Sequence, residues 1–203
     1  MNKAQIRNQV LGLLNRNDCT TATVDNFIDM ALSRIQRTLR IAPMERQQNY
    51  TANEADENII ALPSDFLSMK YIWVGSNMLE FRDFGTFLKT RALVGIPTIY
   101  TRVRGGLMVK PTPPEGTELN MIYYGEFDDL PNDTSENSLT NFAPDLLIYG
   151  ALSFAADYFV DDRRDSFENR YATIYTEVEE QSRTVEWDQA TLAIQPAYPN
   201  VEY

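Results

Sequence analysis

Apolar residues recur at helical spacing at both ends of this chain and alternate at strand spacing in its middle. In residues 4–15, Ile6, Val10, Leu13 and Leu14 fall at i, i+4, i+7 and i+8, one face of a short helix closed by Asn17 and Asp18. Thr23 is the expected N-cap of a second helix, with Asn26 three residues on. In that helix Val24, Phe27, Ile28, Ala31, Leu32, Ile35 and Leu39 form a stripe, and Arg34, Arg37 and Arg40 fall on another face. Pro43 lies just past its end, where the ring and missing N–H forbid continuation.

The period then changes. Strands are expected at 47–51, 59–62, 69–74 and 78–81, the last two joined by a Gly75-Ser76-Asn77 turn. Residues 83–93 suit a short helix with Phe84, Phe87, Leu88 and Leu93 as its apolar positions. Further strands follow at 98–103 and 107–110, joined by a tight turn at Arg104-Gly105-Gly106, and at 119–127. Three prolines fix the exposed loop between them at 111–116. Short strands separated by turns predict a compact all-β unit, a barrel or a sandwich. Asp128 to Asn137 is polar and reads as a linker.

Helicity returns at Asp145, with Leu147, Ala151, Phe154, Ala155, Tyr158 and Phe159 apolar and Gly150 allowing close packing. Asp161 and Asp162 end or bend this helix. A long helix is expected from about Arg164 to Trp187, buried along Phe167, Tyr171, Ile174, Val178 and Val185. The last residues, 188–203, hold two prolines and too few apolar positions to fold alone, yet only two charges. Extended, they reach about 50 Å. Two readings remain open, an arm that orders on a partner or a tail folded back on its own chain.

The fold class is therefore α+β: two N-terminal and two C-terminal helices form a helical bundle, interrupted by a small β-barrel or sandwich. The expected boundaries are 1–43 and 131–187 for the helical parts, 44–130 for the inserted β unit and 188–203 for the arm.

Composition narrows the chemistry. There is no histidine and one cysteine, Cys19, so no intrachain disulfide, no ordinary zinc cluster and no Ser-His-Asp or Cys-His base can form. The adjacent pairs Asp128-Asp129 and Asp161-Asp162 do not face each other across a substrate, as glycoside hydrolysis requires. Asp161, Asp162 and Asp165 lack the spacing of a calcium loop and sit beside Arg163 and Arg164. No catalytic residue, metal ligand or cofactor site is expected. No apolar run spans a membrane, and the start lacks a secretory signal, which predicts synthesis in a cytoplasm.

The net charge of −11 is uneven. Residues 1–110 hold 14 Lys and Arg against 10 Asp and Glu, and residues 111–203 hold 4 against 19. Such a chain is a poor sequence-specific DNA binder. It suits copies packed side by side, basic face on acidic face. The alternative is two solvated surfaces.

Several segments together resemble the head-to-tail adaptor, or connector, proteins of short-tailed bacteriophages, from about residue 20 to 186. They are the Phe27–Arg40 helix with Met44-Glu45, the Ala61-Leu62-Pro63-Ser64-Asp65-Phe66 segment, and Gly95-Ile96-Pro97 leading to Tyr100. Leu107 to Pro111 with Pro113, Tyr123-Tyr124, and a helix at 145–162 followed by Tyr171 and Tyr175 complete the set. The resemblance implies a structural virion protein made in the host cytoplasm and placed in the neck. Twelve copies would form a ring under the portal protein, with the β unit towards the tail nozzle and tail fibres and double-stranded DNA passing through the channel. By position alone it makes Leu192, Ile194, Pro196, Tyr198 and Tyr203 the portal-binding candidates. Arg34, Arg37, Arg40, Asp161 and Asp162 are the inter-subunit or channel-facing candidates. Two rival readings are another neck ring protein, such as a tail terminator, and a cell-wall hydrolase using scattered carboxylates.

Overall fold

A computed structural model describes residues 1–53, 59–91 and 93–188. Helix α1 spans Lys3–Leu14 and α2 spans Thr21–Thr38. The α2 cap is Thr20, three residues earlier than expected: its hydroxyl accepts from the Thr23 N–H, leaving Thr23 inside the first turn. The α2 stripe is buried throughout, from Val24 to Leu39. A 3₁₀ turn at Ala42–Met44 carries Pro43 and hands the chain to the β unit.

Strand β1 is Glu45–Thr51, β2 Ile59–Ala61, β3 Phe66–Val74, β4 Asn77–Met78 and β5 Glu80–Phe81. Helix α3 covers only Phe84–Lys89, capped by the Asp83 carboxylate. Strands β6 (Ile99–Val103), β7 (Gly106–Lys110) and β8 (Glu118–Gly125) follow. They form two four-stranded sheets, ordered β1-β8-β3-β4 and β2-β7-β6-β5, and among the described residues no barrel closes. Ile72, Leu119 and Met121 of the first sheet and Ile60, Leu107 and Val109 of the second share one core. The expectation of a single strand at 78–81 fails for a physical reason. Leu79 is buried and donates its N–H to the Ile72 carbonyl, so the chain crosses there from one sheet to the other. That single-residue crossing places β4 and β5 at one edge of the sandwich. Strands β1 and β2 lie at the opposite edge.

Glu45 pairs with Tyr124, so the chain enters and leaves the sandwich at the same end, beside the helices. The residues after β8 are more than a linker. Phe127 and Leu130 are buried in the helical core, and Asn137 is a buried cap of an unexpected short helix, α4, Ser138–Phe142. Asn137 accepts from the Thr140 N–H and donates through Nδ2 to the Asp128 carbonyl.

Helix α5, Pro144–Tyr158, starts with Pro at a position where the missing N–H costs nothing. It packs against α1, α2 and α6 (Arg164–Asp188). Gly150 makes this possible: a Cβ there would stand 3.1 Å from Ala31 Cβ and 3.3 Å from the Tyr171 ring. The helix ends at Tyr158, short of the aspartates, and Val160 takes a left-handed φ of 52°. On α6, Tyr171, Ile174 and Val178 are buried, with Phe167 packed against the same core. No described helix is long and apolar enough to cross a membrane.

Candidate assembly surfaces

Of the three arginines expected on one face of α2, Arg34 and Arg37 lie on the helix, whereas Arg40 lies past its extended C-cap, Leu39, and the three meet different surroundings. Arg34 reaches α6, where Nη1 donates to Glu168 Oε2 at 3.0 Å and Nη2 donates to Oε1, and its guanidinium lies 4.1 Å over the Tyr171 ring. The Ser153 hydroxyl of α5 donates to the same carboxylate, so one ion pair ties three helices. Arg34, and secondarily Ser153, hold Glu168 at a pKa of about 2 despite desolvation, which opposes this.

Arg40 faces the β unit. Its Nε donates to Ser68 Oγ at 2.9 Å and its Nη1 to the Gln36 carbonyl at 2.9 Å. Burial lowers the pKa of its guanidinium. Arg37 is exposed and has no hydrogen-bond or ion-pair partner among the described residues. It stands between two open grooves. One, of about 600 Å³, runs between α2 and α6 past Tyr171 and Tyr175. The other, of about 830 Å³, runs past Met30, Leu67 and Phe154. Of the three arginines, Arg37 is the one left open to a partner. Sequence spacing cannot separate it from Arg34, because the Arg34 partner lies 134 residues away.

The aspartates also divide. Arg163 donates to both oxygens of Asp161 and, at 3.1 and 2.8 Å, to the Leu13 and Leu14 carbonyls at the end of α1. Those carbonyls lack helical partners, so Arg163 caps α1 from across the fold. The Arg163 side chain, then its backbone N–H, hold Asp161 at a pKa of about 2. Asp162 is exposed. Asp128 pairs with Arg46 at 2.7 Å, and Arg46 also meets Asp65 at 3.1 Å. Among the described residues no three acidic or thiol groups gather into a metal site. Desolvation, then Asp18, raises the Cys19 thiol pKa, the opposite of what a nucleophile needs.

Leu192, Ile194, Pro196, Tyr198 and Tyr203, the portal-binding candidates, lie outside the described residues. The fold adds a surface that sequence reading missed. Phe84, Leu88 and Leu93, expected as apolar positions of one helix, are about half exposed, at 49%, 58% and 52%, and Leu93 lies beyond α3. Only Phe87 of that set is buried. Phe81, Val94 and Ile96 are open as well, so the segment from Phe81 to Ile96 carries apolar surface that a monomer does not cover. A helix of one and a half turns has room to bury one residue, and periodicity alone cannot say which.

A family model described as SU10 adaptor protein matches residues 1–195. No curated protein matches the chain. The match covers nearly all of the sequence, and the chain belongs to this family of phage adaptor proteins.

Proposed function

With that membership as premise, we propose that the chain is the head-to-tail adaptor of a short-tailed phage and works as a ring of twelve copies between portal and tail. The family match along residues 1–195 carries the proposal. The two cores support it, one helical and closed by residues on both sides of the β unit, the other within the sandwich. Residues 1–44 and 127–187, which close the helical core, are the portal-side body, and the sandwich between them is the insert that faces the tail nozzle and fibres.

Residues 188–203 act as the arm that engages the portal protein, with Leu192, Ile194, Pro196, Tyr198 and Tyr203 as its contacts. Arg37, its two grooves and Asp162 serve neighbouring copies. Arg34, Arg40 and Asp161 hold the subunit in shape for them. The acidic surplus of residues 111–203 lines the channel and repels DNA, so the genome slides without sequence-specific contact. The role is structural, with no bond made or broken and no cofactor.

Sedimentation with and without the cognate portal ring tests this. The account expects the chain to join the portal as a closed ring, and a chain lacking residues 189–203 to stay free. Failure of the intact chain to associate with the portal refutes it.

A further inference from the structure

Helix α6 runs in the same direction as α2. Glu168 meets Arg34, and Tyr175 and Thr176 share a groove with Arg37 and Thr38. Thr38 is the last residue of α2, whereas α6 continues from Thr176 to Asp188, about 18 Å further. The groove, of about 600 Å³, is walled by the Tyr171 and Tyr175 rings and by Thr38, Ala172 and Thr176. Among the described residues no acidic side chain lines it. Arg34 is committed to Glu168, which leaves Arg37 as the unpaired charge of the groove.

The segment that follows α6 suits this groove in kind. Pro196-Ala197-Tyr198-Pro199 is a P-x-x-P run. Such runs favour the polyproline II conformation and dock in grooves lined with aromatic rings. The only charge in residues 189–203 is Glu202, opposite in sign to Arg37. Pro196 lies eight residues past Asp188. Extended, eight residues span about 26 Å, enough to turn back over the about 18 Å to the groove.

We propose that in the free subunit this run lies in the α2–α6 groove of its own chain, with the prolines against Tyr171 and Tyr175 and Glu202 at Arg37. The proposal rests on the adaptor reading above and adds an order of events to it. Binding to the portal draws the arm out and bares the groove, with Arg37, for the next copy. A tethered segment meets its groove at an effective concentration in roughly the millimolar range, so a contact too weak to hold a separate peptide is enough. The same weakness lets the portal displace it. Copies then pack side by side only where a portal has taken their arms, and free chains do not close rings away from it.

Oxidative cross-linking of the full chain tests it. In a chain with Cys19→Ser, Thr38→Cys and Ala197→Cys should join within one molecule in dilute solution under mild oxidation, giving a linked monomer. Adding Arg37→Glu should slow the linkage about fivefold, and adding Glu202→Arg to that chain should restore the rate. No linkage, or linkage only between molecules, overturns occupation of the chain's own groove. An unchanged rate with Arg37→Glu, or no rescue by Glu202→Arg, overturns the pairing of those two residues. The linked chain should join the cognate portal ring only after reduction. Joining equally well while linked overturns the release step. Wild-type chain that never joins the portal overturns the adaptor reading beneath, while the link within one molecule still decides the groove contact.

Discussion

Replacing Glu168 by Gln keeps the shape of the side chain and removes the charge that ties α2, α5 and α6 together. The carboxylate has a pKa of about 2 in the folded chain against 4.5 ordinarily. At about 1.4 kcal/mol per pH unit, this sets a ceiling of roughly 3 kcal/mol. The Glu168 side chain is 41% exposed, so solvent screens part of it and about 1–2 kcal/mol remains. The folded pKa is depressed, so this stability is fully present above the unfolded pKa and is lost as pH falls from about 4.5 towards 2. Glu168→Gln should therefore unfold about 3–6 °C below wild type at pH 7. In urea titrations at a series of pH values, the gap between the two proteins should narrow steadily below pH 4.5. The comparison cancels the titration of other carboxylates, which both proteins share. A gap that is constant between pH 7 and pH 3, or below about 0.5 kcal/mol throughout, would refute the argument that Arg34 and Glu168 form a stabilising pair.

Gly150→Val forces branched carbons into the gap between Ala31 and Tyr171 and should cost about 2–3 kcal/mol in urea unfolding; no loss would mean that the three helices are not packed this closely. Asn137→Ala removes a buried cap and a hydrogen bond to the Asp128 carbonyl, and about 1–2 kcal/mol of stability should go with it. Arg163→Ala should let the Asp161 pKa, read by carboxyl NMR, climb from about 2 towards 3.8, and should speed amide exchange in the last turn of α1. An unmoved Asp161 pKa would show that Arg163 does not hold it.

How much of this could be read in the sequence depended on the distance over which each signal acts. The α2 stripe was legible residue by residue, because an 18-residue helix repeats its apolar face several times. The β unit was legible as alternating strands, and the Leu107–Val109 hairpin partner lies where its turn glycines put it. The crossing at Leu79 was not legible, since one buried leucine inside the four-residue Met78–Phe81 segment carries no mark of a change of sheet. Helix α4 hid in a polar stretch because its signal is a capping pair, Asn137 with Thr140, and its five residues show no period. At the candidate site, charge spacing found the arginines at 34, 37 and 40 together but could not sort them. Arg34 and Arg40 are committed to Glu168 and Ser68, partners brought close only by folding. The exposed apolar surface of α3 was invisible for a different reason. Exposure of Phe84 and Leu88 depends on which face of a short helix the sheet happens to cover.

The central claim is that the chain is a ring-forming adaptor below a portal. The most direct measurement is sedimentation of the purified 23.3 kDa chain alone and with its cognate portal ring. The account predicts a joint boundary carrying twelve chains per portal, lost when residues 189–203 are removed. Chain that sediments apart from the portal at every ratio contradicts it.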